Sequence, residues 1–407
     1  MLTENQNKNQ CCGCMACSQI CPKSAITMEQ DDQGFAYPSV DKNKCIDCGL
    51  CHKVCPMEEN YVGQDAVPDI YALCNKNRET LTESSSGGMF SILARWVIGQ
   101  GGVIYGVAFD ESFSVRHMRA DSMEDAARFR SSKYVESDLT EVYAHILEDL
   151  KAGLTVLLTG TPCQISAVQK FLLQKRADCT NLYTCDNICH GVPSRKIWTD
   201  YLTILQDKYM DSNDSITYIN MRSKKSGWKE RAMEVRLKNG DLDEVTKDFS
   251  FNKIFSSLYA NRPSCFNCKY TSHKRPSDFT LGDFWNEKSA GITFDVSNGV
   301  SEVLVNTEKG RKLFQLIKDQ ANCQPVSKKA AWQPHLEYAA KAPKNQAQFW
   351  EEYNSSPDKE ALLRRYLEGT FMTKVIRKAS PILQKTGLYS MAGKMYKVLL
   401  VKKSNTP

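Results

Sequence analysis

One cysteine run occurs twice near the start of this chain. The first copy is Cys11, Cys14, Cys17 and Cys21, followed by Pro22; the second is Cys45, Cys48, Cys51 and Cys55, followed by Pro56. Both obey the spacing C-x2-C-x2-C-x3-C-P. Such close spacing lets one loop reach three corners of an iron–sulfur cube. The fourth cysteine is expected to open a short helix and to reach the other cube. Cys11, Cys14, Cys17 and Cys55 are therefore expected around one 4Fe–4S cluster, and Cys45, Cys48, Cys51 and Cys21 around a second. The proline after each run suits the first turn of a helix, where its missing N–H costs nothing. Zinc prefers two Cys-x-x-Cys pairs, or Cys mixed with His, one set per ion. Two copies of the longer spacing fit it poorly. Cys12 breaks no spacing and reads as a spare thiol beside the cluster, and His52 as a surface residue.

The pattern is that of a two-cluster bacterial ferredoxin, so residues 1–64 are expected to form an α+β head of that type. Of the 17 cysteines in 407 residues, nine precede residue 56, which sets the first domain boundary. Disulfides are not the reading for so long a chain without an apolar export segment. No run approaches the roughly 18 apolar residues of a membrane span. A cytoplasmic protein is expected. The net charge of +6 is modest for this length. With no recognisable nucleic-acid motif, no nucleic-acid partner is expected.

From about residue 65 short β-like runs alternate with helical ones, which argues for an α/β body over residues 65–340. Strands are expected at Asp69–Cys74, Val103–Phe109, Thr155–Thr159, Asn181–Cys185, Ser215–Met221, Ala232–Leu237 and Val300–Val305. Helices are expected at Met89–Ile98, Thr140–Leu150, Gln164–Leu173, Lys196–Tyr209 and Thr307–Asp319. No G-x-G-x-x-G follows a strand and no P-loop occurs, so an ordinary dinucleotide or P-loop site is unsupported.

Three segments of the body carry chemistry. Ser84 to Gly88 precede a helix, where small residues and free N–H groups suit a phosphate or merely a capped turn. Gly160-Thr161-Pro162-Cys163-Gln164 follows an apolar strand and places Cys163 near a helix start, which favours thiolate. Cys265 and Cys268 form a lone Cys-x-x-Cys. Two ligands need two more, with Cys163 and Cys189 as candidates and Cys185 competing with Cys189. Cys74, Cys179 and Cys323 read as isolated small hydrophobes or surface thiols.

Taken together, five pieces resemble the beta subunit of coenzyme F-420 hydrogenase/dehydrogenase. They are Ser85-Ser86-Gly87-Gly88, Ser131-Ser132-Lys133-Tyr134-Val135, Gly160 to Gln164, Cys189-His190-Gly191, and Cys265-x-x-Cys268 with Gly282-Asp283-Phe284-Trp285. The resemblance spans about Ile70 to Trp285. It implies bound FAD and a third 4Fe–4S cluster beside the two of the head. It implies that Ser85, Ser86, Gly87, Gly88, Ser132, Lys133 and Tyr134 contact FAD, with Lys133 in a catalytic role stabilising a reduced ring. Cys163, Cys189, Cys265 and Cys268 would hold the third cluster. The Cys189-His190-Gly191 piece looks like a broader bacterial branch, which leaves open whether a deazaflavin is the substrate.

Such parts imply an iron–sulfur flavoprotein oxidoreductase that exchanges electrons with a redox partner protein or a small-molecule hydride donor. The alternative is a non-catalytic electron-transfer subunit feeding another enzyme. Residues 341–407 are expected to form a helical basic tail. From Gly369 onward it carries eight Lys or Arg and no Asp or Glu. An amphipathic helix of this kind suits peripheral contact with an anionic membrane or a solvated face on the body.

Overall fold

The computed structural model describes residues 8–58 and 67–368. The chain divides into two compact units, Met1–Trp350 and Glu351–Pro407. In the first unit the two cysteine runs share one backbone. The helices Ala16–Ile20 and Leu50–Val54 follow residues held in the left-handed conformation, Met15 at φ 67° and Gly49 at φ 70°. Each helix ends at the fourth cysteine, Cys21 or Cys55, with φ −68° and an extended ψ. The fourth cysteine thus closes a helix and does not open one. The following proline explains this, because its ring drives the preceding residue out of the α region. Strands β1 (Ile26–Gln30) and β2 (Ala36–Val40) pair antiparallel between the two runs and complete the expected α+β head.

The body is built on an eight-stranded sheet. Its strands are β3 (Asp69–Asn75), β4 (Val103–Phe109), β5 (Val115–Ala120), β6 (Val156–Gly160), β7 (Leu182–Asn187), β10 (Phe279–Asp283), β11 (Ser301–Val305) and β12 (Ala321–Pro325), in the order β12-β3-β11-β10-β7-β6-β4-β5. The central strands β4, β6, β7 and β10 are parallel, whereas β5, β11, β3 and β12 join antiparallel. The α/β body therefore carries a mixed sheet. Strands β8 (Ile216–Ser223) and β9 (Ala232–Leu237) form where expected but pair with each other, outside the main sheet.

Burial explains the apolar runs. Val156, Leu157 and Leu158 are buried, as are all five residues of β11, and a strand covered on both faces needs no alternation. One core joins Leu73, Ile92, Leu93, Phe279 and Phe314. The other joins Ile146, Val156, Ile165 and Val168 to Ala16, Ile20 and Val54 of the head. The head helices thus share a core with the body.

The helices Gln346–Ser355 and Lys359–Glu368 occupy the start of the expected tail. Its basic stretch from Gly369 lies outside the described residues. No helix among the described residues is long and apolar enough to cross a membrane.

Candidate functional site

The carboxyl ends of β6, β7 and β10 lie along one edge of the sheet, the place where α/β proteins bind ligands. A cavity of about 310 Å³ opens there. Gly160, Asp186, Asn187 and Asp283 line it from the strand ends, and the Ser84–Ser86 turn and Ser131–Val135 from the loops. Its size is at the lower end for a cofactor site.

The Ser/Gly turn is fixed by the sheet. A Cβ on Gly87 would fall 2.0 Å from the Leu73 carbonyl and 2.4 Å from the Ser301 nitrogen. Gly87 N–H donates to Ser301 Oγ at 2.9 Å, and Ser86 Oγ donates to the Val300 carbonyl at 2.8 Å. Gly88, at φ 79°, then opens the helix Met89–Gly99 without a side-chain cap. This leaves helix-start N–H groups at the cavity wall, as an anion would require.

Lys133 borders the cavity, but its ammonium donates to the carbonyls of Arg128 (2.6 Å), Arg130 (2.8 Å) and Ser131 (3.3 Å). It holds the loop in shape. Burial, helped by Arg128, lowers its pKa to about 7. Tyr134 stacks on Phe255 at 4.2 Å, and its hydroxyl accepts from Arg222 at 3.0 Å. Arg222, which also pairs with Asp283 at 2.8 Å, and Arg231, which lies over the Trp285 ring, supply positive charge at the cavity. Sequence reasoning missed both arginines. They sit on and beside the β8–β9 hairpin, where nothing local announces a ligand.

The four body cysteines converge. Cys163 lies in the first turn of the helix Pro162–Gln174. That helix starts two residues before the expected Gln164. Thr161 and Gln164 form a capping box, with Pro162 in the first turn. Cys189 follows β7 and borders the cavity, and its sulfur accepts the Gly191 N–H at 3.4 Å. Cys265 and Cys268 lie on the segment Pro263–Asn267 and at its end. The chain just after that segment is tied to the end of β7 by Arg275, which is fully buried and donates to the Tyr270 carbonyl at 2.6 Å, to Asp186 at 2.9 Å and to the Asn187 carbonyl at 2.9 Å. Burial, then Cys163, pushes Cys189 up to about 12; burial, then Cys163, pushes Cys268 up to about 11. Burial, then Cys189 and Cys163, raises Cys265 well above a free thiol. Thiols that resist ionisation because they are buried, and then because they crowd one another, suit a cationic core that needs all of them ionised. Cys185 is buried in the sheet core, away from this set.

The head cysteines group in the same way. Burial, then Cys11 and Cys55, raises Cys17 far above a free thiol, and Cys17 and Cys55 also act on Cys14. The fourth cysteine of the second run thus joins the first three of the first. Among the described residues no three Cys, His, Asp or Glu side chains close to the distance of a single ion. A cube holds its ligands farther apart than the roughly 2.3 Å zinc–sulfur bond allows around one ion.

Cys12 lies near one cysteine of each set: Cys14, with burial, raises its thiol well above the ordinary value, and Cys163 acts against them. His52 meets Glu58 at 2.6 Å at the surface, away from any cysteine role.

Two family models match the sequence. Residues 10–58 match the 4Fe-4S dicluster domain, and residues 153–329 match the model for the C terminus of the coenzyme F420 hydrogenase/dehydrogenase beta subunit. Over residues 153–329 the body is thus similar to the coenzyme F420 hydrogenase/dehydrogenase beta subunit family. The dicluster match makes the head an iron–sulfur module. The first match covers the whole doubled run; the second contains Cys163, Cys189, Cys265 and Cys268. No curated protein matches the chain. A chain of the F420-reducing [NiFe] hydrogenase complex from Methanosarcina barkeri is similar at 19% identity, over 74% of this chain and 97% of that one, with a TM-score of 0.45.

Proposed function

We propose that the chain is a flavin-dependent oxidoreductase that moves electrons between a hydride carrier at the cavity and a one-electron partner at the head. The observation that carries this reading is continuity. Cys189 borders the cavity, Cys163 of the same set lies near Cys12, and Cys12 packs against the core that contains Cys14 of the head. In this reading Cys11, Cys14, Cys17 and Cys55 hold one cube, Cys45, Cys48, Cys51 and Cys21 a second, and Cys163, Cys189, Cys265 and Cys268 a third. FAD in the cavity would supply the exchange of a two-electron hydride for single electrons.

The chain's own residues do the rest. The helix-start N–H groups after Gly88 and the backbone of Ser85 and Ser86 receive phosphate. Lys133 fixes the loop that presents Ser132 and Tyr134. Arg222 and Arg231 favour a ring carrying negative charge. The head of residues 1–64 acts as the relay, and the body of residues 65–340 holds the cavity. A multi-protein redox complex is the natural setting for such a relay.

Anaerobically purified full-length protein tests this. It should release one FAD per chain on denaturation and contain about twelve irons, four for each cube. Protein that contains iron but neither holds nor takes up flavin would refute the flavoprotein reading and leave an electron-transfer subunit.

A further inference from the structure

The two cysteine runs present opposite charges to equivalent sulfurs. Cys11 and Cys45 are the first cysteines of their runs. Arg262 lies against Cys11. It is fully buried, its Nε donates to the Cys11 carbonyl at 2.7 Å, and its Nη2 reaches Cys11 Sγ at 3.7 Å. Nη2 also donates to the Ala36 carbonyl at 2.7 Å, and Nη1 to Glu136 Oε1 at 2.5 Å. The guanidinium lies over the rings of Tyr37 and Phe35. Nε and Nη2 face Cys11, while Nη1 is taken by its counter-charge, Glu136. The Arg262 carbonyl in turn accepts the Cys265 N–H at 3.0 Å, which ties this cation to the body cysteines.

At Cys45 the neighbour has the opposite sign. Cys45 Sγ lies 3.8 Å from Asp47 Oδ1, and Asp47 is exposed. Asp47 holds the place that Gly13 holds in the first run. Gly13 is required there, because a Cβ would lie 2.4 Å from Glu136 Oε1 and 2.5 Å from Arg262 Nη1. The buried ion pair therefore occupies the space where the second run carries a carboxylate.

We infer that Arg262 sets the potential of the inner cysteine site above that of the outer one, so that an electron in the head rests at the site facing the body. The inference rests on the cluster assignment proposed above. A cation and N–H donors next to a ligand sulfur stabilise the reduced, more negative cluster; a carboxylate destabilises it. Burial makes the arginine the larger influence, because Asp47 is screened by water and salt. Arg262 is thus a positioning residue for charge. A lysine would keep the cation but lose the fork that aims it.

The test is an anaerobic redox titration of the full-length holoprotein, followed by EPR, with iron counted for every variant. Arg262→Gln should lower the inner potential and leave the outer one in place. The electron partition between the two sites should fall about tenfold or more, which is 59 mV for one electron. Arg262→Lys should give a smaller fall. Glu136→Gln, which strips the counter-charge, should raise the inner potential, and Asp47→Asn should raise the outer one slightly. Equal shifts at both sites, or none with iron intact, overturn the inference. If Arg262→Gln loses inner iron, Glu136→Gln decides, and an unchanged or lowered inner potential there also overturns it. A wild-type protein without iron in the head would instead refute the cluster assignment.

Discussion

The two cysteine runs are twins in spacing and backbone and opposites in surroundings. Gly13 and Asp47 both have positive φ, as do Met15 and Gly49, and both five-residue helices end at a cysteine before a proline. The first run is built into the body. Arg262 Nε, Tyr143 Oη and Lys170 Nζ donate to the carbonyls of Cys11, Cys14 and Cys55, three of the four expected inner ligands. Met15 is buried, and Thr140 Oγ1 donates to its sulfur. The second run faces outward: Cys48 is exposed, Ile46 is 57% exposed, and a Cβ at Gly49 would meet nothing within 4 Å. A repeated ligand pattern therefore fixes how a loop folds but not what environment it receives. The environment comes from residues more than a hundred positions away, and it separates an inner site from an outer one.

Exchanging the twin residues breaks the comparison most sharply. Gly13→Asp drives a side chain into the Arg262–Glu136 pair and sets two carboxylates together. Overpacking costs about 1–3 kcal/mol, and an unpaired buried charge adds to it. We expect a loss of more than about 3 kcal/mol in thermal unfolding, together with loss of inner iron. The reverse exchange, Asp47→Gly, sits at an exposed position already in the left-handed region. It should stay within about 0.5 kcal/mol. Equal costs for the two exchanges would show that the runs are not held differently.

A gentler change sharpens the same contrast. Tyr143→Phe removes the hydroxyl that donates to the Cys14 carbonyl at 2.6 Å and leaves a buried acceptor without it. The cost should be about 1–3 kcal/mol. A chelator should then strip inner iron faster while outer iron leaves at the wild-type rate. An unchanged inner rate would mean that the tyrosine does not hold the inner loop.

Much of this was legible in the sequence, and the limits have physical causes. Eight head cysteines could be read because their ligand spacing is local. The four body cysteines could be narrowed but not closed, since Cys163, Cys189 and the Cys265–Cys268 pair meet only through folding. Arg262, Glu136 and Tyr143 carried no signal, because each acts on a partner more than 100 residues away. Among strands, β5 was hidden by Arg116 and Arg119, both exposed but three residues apart, which breaks the alternation of a half-buried strand. Strand β10 was hidden by Gly282 and Asp283, and β12, at the sheet edge, by its terminal proline, which only an edge tolerates. Helix starts were missed by a residue or two wherever a cap, such as Thr161 with Gln164, moved the boundary.

The central claim is that the inner site, and not the outer one, adjoins the body cysteines through Cys12 and Cys163. The direct measurement is magnetic coupling in the reduced full-length protein, compared between Cys14→Ser and Cys48→Ser, which remove one head ligand each. The body cluster's EPR signal should stay broadened by its neighbour in Cys48→Ser and become that of an isolated cluster in Cys14→Ser. A body signal that sharpens in Cys48→Ser and stays coupled in Cys14→Ser would contradict the order outer site, inner site, body.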